Sequence, residues 1–223
     1  MVQHAYIVRP PDDPGSWIHG EFRGGDPNRR HTFLVNGEMM RNADLRACLL
    51  MGVKAPDQLV LAAPNEIFIE DGFGRLPDFG AGPWGGFTLV SENFVEIVEL
   101  LDPDQHQFIP IDRTYYTDGR SVDKKFFIMN IFHKLNAVDL DISNVRKVEK
   151  IIIGRNGIPD QTRKYIEILE PFSIFLRKDR IGNLNIWHGT SNDIFKIFFS
   201  DKLVREIKKS KLSPLSFTAV NVI

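Results

Sequence analysis

The sequence predicts an α+β fold: a mixed, mostly antiparallel sheet with few, short helices and a pseudo-repeated strand–helix–strand element. Three observations predict it. Short apolar runs are set apart by clusters of glycine, proline, aspartate and asparagine, which cut the chain into strands and turns. Apolar residues at helical spacing recur in only a few brief stretches. One serine-headed pattern, at Ser91, returns at Ser200.

Ala5 to Arg9 reads as a first strand, ended by Pro10-Pro11 and the turn-rich Asp12-Asp13-Pro14-Gly15-Ser16. Trp17 to Phe22 alternates as a second, and Arg23-Gly24-Gly25-Asp26-Pro27-Asn28 is a loop. Phe33-Leu34-Val35 followed by Asn36-Gly37 suggests a strand and a tight turn. Asn42 can cap a helix from Ala43 to Val53 that sets Leu45, Cys48 and Leu49 on one face. Leu59 to Ala62 and Ile67 to Ile69 are further strands, and the glycine-dense stretch from Asp71 to Gly86 is a long loop.

The clearest local pattern follows. Phe87-Thr88-Leu89-Val90 is a strand, Ser91 an N-cap, and Phe94, Val95, Val98 and Leu101 recur at helical spacing. Pro103 closes the helix, and Phe108-Ile109-Pro110-Ile111 returns as a strand. Near the C-terminus the pattern repeats: Ile194 to Phe199 is the strand, Ser200 the cap, and Leu203, Val204 and Ile207 the apolar face. The basic run Lys208-Lys209-Ser210-Lys211 suits the negative end of the helix dipole, and Leu215 to Val220 returns as a strand. Aligned on the serine, Ser91-Glu92-Asn93-Phe94-Val95 matches Ser200-Asp201-Lys202-Leu203-Val204, each with an acid in the first turn. Between the copies, Lys125 to Phe132 reads as a buried strand on its aromatic content, Ile151 to Gly154 as a strand and turn, and Tyr165 to Leu176 as strand interrupted by Pro171. Residues 1–65 form a β-rich N-terminal portion and 66–223 an α+β portion, either separate or one continuous domain.

At 223 residues, 43% apolar and 26% charged, the chain has globular proportions, which exclude disorder, collagen-like repeats and coiled coil. Its formal charge of −1 gives no global field for nucleic acid or an acidic membrane. Cys48 is the single cysteine, so neither an internal disulfide nor a cysteine zinc cluster is expected. No apolar run reaches the roughly 20 residues of a membrane span, and Met1-Val2-Gln3-His4-Ala5-Tyr6 does not read as a signal peptide. A soluble cytoplasmic protein is the expectation. The charge is nevertheless sorted. Residues 1–119 carry 9 Lys and Arg against 18 Asp and Glu, and residues 120–223 carry 19 against 11. Lys54 is the single lysine of the first part, which holds 13 of the 17 glycines. Two attracting subdomains, one fold with an acidic and a basic face, or a solvated surface with no task would each produce this division.

The chemistry motifs fall short one by one. Trp187-His188-Gly189-Thr190 resembles the histidine motif of ADP-ribosyltransferases, whose fold needs a tyrosine and a catalytic glutamate further along. All four tyrosines, Tyr6, Tyr115, Tyr116 and Tyr165, lie upstream, and the one later glutamate, Glu206, falls inside an amphipathic helix, so the run reads as a strand end and turn. The loop Phe79 to Phe87 lacks the Gly-Lys-Ser/Thr ending of a phosphate cradle and precedes a strand rather than a helix. His4, His19, His31, His106, His133 and His188 have no metal-binding spacing, and Cys48 reads as an inert core thiol. No Gly-x-Ser-x-Gly elbow is present, and no carboxylate pair stands out as acid and base. What the loop does offer is contact material. Trp84 is a candidate anchor for a protein partner, and Glu70, Asp71 and Asp78 a candidate acidic contact patch. Weight therefore shifts toward a binding protein with no cofactor and no metal.

The run Gly86-Phe87-Thr88-Leu89-Val90-Ser91-Glu92-Asn93-Phe94, followed by Phe108-Ile109-Pro110-Ile111, resembles the bacterial immunity-eleven family of polymorphic-toxin systems. Phe127 to Ser143, with Leu135-Asn136-Ala137-Val138-Asp139-Leu140-Asp141-Ile142-Ser143, is similar to that family's central strand and Asp-x-x-x-Ser segment. Ile194 to Val220, with Phe199-Ser200-Asp201-Lys202-Leu203, is similar to its C-terminal element, and the likeness spans roughly residues 70–220. The resemblance implies a non-enzymatic immunity protein that binds and neutralises a cognate secreted toxin in competition between bacteria. It transfers no catalytic residue. The acidic N-terminal portion would suit a basic toxin domain, and the basic C-terminal portion an acidic one. A generic interaction module without a toxin, or an enzyme whose site no motif reveals, are the alternatives. An exposed edge strand beside the C-terminal element would support a homodimer.

Overall fold

The computed structural model describes residues 3–9, 20–23, 45, 47–61, 63–69, 76–81, 88–153, 159–169, 172–189, 196–213 and 215–223. In chain order, β1 (Gln3–Arg9) and β2 (Gly20–Arg23) precede two short helices, α1 (residues 47–51) and α2 (Asp57–Leu61). Next come β3 (Glu66–Ile69), β4 (Phe79–Ala81), β5 (Thr88–Ser91), α3 (Glu92–Leu101), β6 (His106–Ile111), β7 (Arg113–Tyr116) and β8 (Phe126–Ile131). After β9 (Lys134–Leu135), a long hairpin is formed by β10 (Val145–Ile153) and β11 (Pro159–Ile168). The chain closes with β12 (Phe175–Leu176), α4 (Lys178–Ile181), β13 (Ile186–Gly189), β14 (Ile197–Ser200), α5 (Asp201–Lys209) and β15 (Ser216–Val222). The fold is α+β, with mixed sheets and few, short helices.

Two compact units divide the chain: Arg9–Phe132 with Arg205–Ser216, and Met1–Val8 with His133–Val204 and Phe217–Ile223. In the first, a four-stranded sheet runs β4-β5-β8-β6 and a three-stranded sheet β2-β3-β7. β8 pairs antiparallel with both neighbours, at Leu89↔Ile128 and Ile109↔Ile128. A central strand covered on both faces needs apolar residues at consecutive positions. That is why Phe126, Ile128, Met129 and Ile131 are all buried. Leu45, Leu49, Ala55, Ala63, Ile67, Ile69, Leu89, Ile109, Ile111, Phe126 and Ile128 form the core of this unit.

The second unit is built on a six-stranded sheet, β12-β15-β1-β14-β13-β9. Its core gathers Ala5, Ile7, Ala137, Val138, Ile174, Leu176, Ile181, Trp187, Phe198 and Val220, with Trp187 stacked on Phe198 at 5.7 Å between ring centres. The β10–β11 hairpin is a separate two-stranded ribbon.

The repeated pattern is real in three dimensions and longer than the sequence suggested. One copy is β4-β5-α3-β6 and the other β13-β14-α5-β15, each a hairpin followed by a strand–helix–strand crossover. β8 fills the gap between β5 and β6, and β1 fills the gap between β14 and β15. Both crossovers leave their helix through a residue in the left-handed region, Asp104 (φ 58°) and Lys211 (φ 51°).

Two expectations are corrected. Leu59 to Ala62 was expected as a strand, but Asp57–Leu61 is helical: the Leu59 and Val60 N–H groups both donate to the Pro56 carbonyl, at 2.8 and 3.0 Å. Proline starts a helix well, and a short apolar run carries no period that separates the two states. The stretch from Asp71 to Gly86, expected as continuous loop, contains β4, which pairs with β5 at Phe79↔Val90 and Gly80↔Leu89. The strand and turn expected from Phe33 to Gly37 lie outside the described residues.

Candidate partner-binding surface

Asp78 begins β4's side of the first copy and is 2% exposed. Its Oδ1 accepts the Ser91 hydroxyl at 2.6 Å and pairs with Lys124 Nζ at 2.7 Å. Its Oδ2 accepts the Ser213 N–H at 2.6 Å, while the Ser213 hydroxyl accepts the Asp78 N–H. Burial alone would raise this carboxyl's pKa. The hydrogen bonds from Lys124, Ser91 and Ser213, with the Lys124 charge, outweigh it and hold the group below the ordinary carboxylate value. Asp78 is therefore a scaffold residue: its charge is spent inside the chain rather than displayed in an acidic contact patch. Glu70, Asp71 and Trp84 lie outside the described residues.

Asn185 occupies the matching place in the second copy, just before β13. It accepts the Ser200 hydroxyl at 2.7 Å on Oδ1, and its carbonyl accepts the Ser200 N–H at 2.9 Å. Ser91 and Ser200 both cap their helices, accepting the N–H of Phe94 at 3.3 Å and of Leu203 at 3.1 Å.

Trp187, His188 and Gly189 belong to strand β13 and Gly189 ends it; the turn expected to follow at Thr190 lies outside the described residues. His188 pairs in parallel register with Lys134 on β9. Burial lowers the Lys134 ammonium to a pKa of about 8, and burial with the nearby Lys134 charge lowers His188 to about 3. Burial disfavours the charged form of both groups, so His188 stays neutral beside Lys134 over the ordinary pH range. Among the described residues, no group of three His, Cys, Asp or Glu side chains is placed to hold a metal ion.

The surface feature of the first unit lies earlier in the chain. α1 and α2 rest on one core: Leu45 and Leu49 belong to it, and Cys48, Leu59 and Val60 pack against it. Four large apolar residues of the stretch from α1 to α2 face solvent. Leu50 is 68% exposed, Met51 70%, Val53 49% and Leu61 77%. Of seven large hydrophobic residues exposed among the described residues, these four fall within twelve consecutive positions. Scattered exposed hydrophobics are ordinary on a protein surface, and a contiguous apolar patch of several hundred Å² is what marks an interaction surface.

The segment joining these helices is held from beneath. Gln107 on β6 accepts the Ala55 N–H at 2.9 Å and donates to the Ala55 carbonyl at 3.0 Å, mimicking a strand partner with its amide. Asn130 on β8, fully buried, donates to the Val53 carbonyl at 2.8 Å and to Gln107 Oε1 at 3.3 Å. Two amides from the sheet thus fix the backbone of an apolar ridge. The signal available in sequence was the outer side of the Ala43–Val53 helix, where Leu50 and Met51 make the segment apolar around more than its core face.

The scaffold is α+β, with an inwardly bonded polar network and, before the matched strands, exposed apolar residues beside a backbone fixed from the sheet. The chain belongs to the immunity protein family (Imm11), whose model matches residues 68–222. No curated protein matches it. The ridge at residues 50–61 precedes the matched span, while Gln107 and Asn130, which hold it, lie within.

Proposed function

We propose that this protein is a cytoplasmic antidote that binds a cognate bacterial toxin domain directly and neutralises it by occupying its surface, with no chemistry of its own. The observation that carries this reading is membership of the immunity protein family across residues 68–222. Physical features support it. Inhibition by binding needs a surface that keeps its shape before the partner arrives, because ordering loops and side chains on association subtracts from affinity. The buried Asp78–Ser91–Lys124–Ser213 node and the Gln107–Asn130 clamp both supply such rigidity.

The test is co-expression with the toxin domain encoded by the neighbouring gene. The expected result is restored growth and co-elution of the purified pair. Growth arrest that persists despite abundant folded antidote, with no co-elution, would overturn the reading.

A further inference from the structure

We infer that copies of this chain associate through unlike faces of the repeated element, the outer face of α3 on one copy against the outer face of α5 on another. The two helices hold equivalent places, directly after the capping residues Ser91 and Ser200. Aligned on those serines, Glu96 of α3 corresponds to Arg205 of α5, Glu99 to Lys208 and Leu100 to Lys209. Residues 92–104 carry five acidic side chains and no lysine or arginine, whereas residues 201–211 carry five basic against two acidic. Those two acids are engaged within the chain: Asp201 accepts the Tyr6 hydroxyl, and Glu206 pairs with Lys209 at 3.4 Å. Each set forms one face. Phe94, Ile97 and Val98 of α3 and Leu203, Val204 and Ile207 of α5 are buried. Glu96 and Leu100, and Lys202, Arg205 and Lys209, are exposed at the three- and four-residue spacing of a single helix side.

Helix stability does not account for this charge. The dipole favours acids in the first turn and bases in the last, as Glu92, Asp201 and Lys208 illustrate. Glu99 in the last turn of α3 and Lys202 in the first turn of α5 stand against it. The Asp104 N–H donates to Glu99 at 3.3 Å and holds that carboxylate in place. The faces select each other: α3 on α3 sets acid against acid, α5 on α5 sets base against base, and the unlike contact alone is attractive. Leu100, 77% exposed, lies one turn beyond Glu96 and beside Glu99. Lysine and arginine stems cover such apolar surface while their charged ends stay in water. With the helices antiparallel, Arg205 meets Glu96 and Lys202 reaches Glu99. A separate charged partner would account for one face, whereas a second copy accounts for both and for their inverted charge at equivalent positions. Contacts between unlike faces close as a pair when made twice about a two-fold axis, and otherwise run head to tail.

The experiment follows sedimentation of the full chain up to about 100 μM at low and high salt. It compares wild type, Glu96→Arg, Arg205→Glu and an equimolar mixture of the two variants. Both substituted side chains are exposed, so thermal melts should match wild type. Wild type should associate reversibly and less tightly as salt is added. Each variant alone should associate about tenfold or more weakly, since its altered face repels its old partner. The mixture should regain wild-type association, because each variant supplies the face that the other's reversal requires. If either reversal lowers the melting temperature, Glu96→Gln and Arg205→Gln replace the pair, and each should weaken association about threefold. Wild type that stays monomeric at low salt, association that neither reversal weakens, or a mixture of folded variants that does not recover would each overturn the proposal. If wild type alone is monomeric and Arg205→Glu instead weakens binding to the toxin domain of the neighbouring gene, to anionic vesicles or to duplex DNA, the α5 face belongs to that occupant and a second copy is excluded. Growth rescue by wild type reads the antidote function separately from all of these outcomes.

Discussion

Asp78 and Asn185 hold one post in two copies of the same element. Each presents Oδ1 to the hydroxyl of a helix-capping serine, at 2.6 Å to Ser91 and 2.7 Å to Ser200, and each gives its carbonyl to that serine's N–H at 2.9 Å. The serine is thereby held on both sides: it donates to the strand before it and accepts from the helix after it. Only one copy is charged, and only that copy recruits Lys124 and Ser213.

The two serines should differ in worth. Replacing a capping serine by alanine costs typically about 1 kcal/mol. Ser200→Ala should cost about that, because it leaves a neutral amide short of one donor. Ser91→Ala should cost about 1 kcal/mol more, because it also strips a donor from a buried carboxylate. Urea denaturation of both variants measures the difference. Equal losses would mean that Asp78 gains nothing from the serine hydroxyl.

Asp78 also makes stability sensitive to acid. Its folded-state pKa lies below 3.8, held down by Lys124, Ser91 and Ser213 despite burial. The unfolded chain therefore binds this proton first as pH falls. The contribution is complete above the unfolded carboxyl range and is lost below it, through the folded pKa. Asp78→Asn should cost about 2 kcal/mol or more at neutral pH, since Lys124 loses its partner and Ser213 N–H faces an amide. It should also flatten the acid limb of a stability–pH curve. A variant whose acid limb matches wild type would show that Asp78 does not set it.

How far these features were legible in sequence depends on the range of the interactions behind them. Ser91 and Ser200 are readable as caps because the bond each makes reaches only three residues ahead. The use of β1 as the inner strand of the second copy is not, because Ala5 pairs with Ser200 and nothing local to either residue announces the other. Asp78 reads as a surface acid in a glycine-rich loop, since Ser213, the partner that buries its second oxygen, lies 135 residues away. The ridge escaped notice for a different reason. Periodicity finds the side of the Ala43–Val53 stretch that packs inward, at Leu45, Cys48 and Leu49, but does not flag apolar residues on the other side. Of the contact residues expected near the glycine loop, Glu70, Asp71 and Trp84 lie outside the described residues.

Lys134 and His188 should leave a mark at both ends of the pH scale. Lys134 has a folded pKa of about 8 against 10.5 in the unfolded chain. Between those values the unfolded state binds more protons, so stability rises with pH across that window. Lys134→Met removes the buried ammonium and should stabilise the protein at pH 7 while abolishing the alkaline rise. His188, at about 3 against 6.5, works in the same direction at lower pH: stability falls as pH drops from 6.5 toward 3. Chemical denaturation at several pH values tests both. An unchanged alkaline limb in Lys134→Met would show that the lysine is solvated.

The helix exits supply the last prediction. Asp104 and Lys211 take φ values of 58° and 51°, where a residue with a Cβ is strained by roughly 1–2 kcal/mol. Asp104 is compensated, since its N–H donates to Glu99 Oε2 at 3.3 Å and aspartate tolerates this conformation. Lys211 is a long, exposed side chain without that tolerance, although its N–H does donate to the Lys208 carbonyl at 3.2 Å. Glycine would relieve the strain while enlarging the entropy of the unfolded chain, and the two effects partly offset. Lys211→Gly should therefore stabilise the protein by up to about 1 kcal/mol, and Asp104→Gly should stay within about 0.5 kcal/mol of wild type. Thermal melts of the two variants decide it. A destabilised Lys211→Gly would show that the basic charge behind α5, against the helix dipole, outweighs the backbone strain.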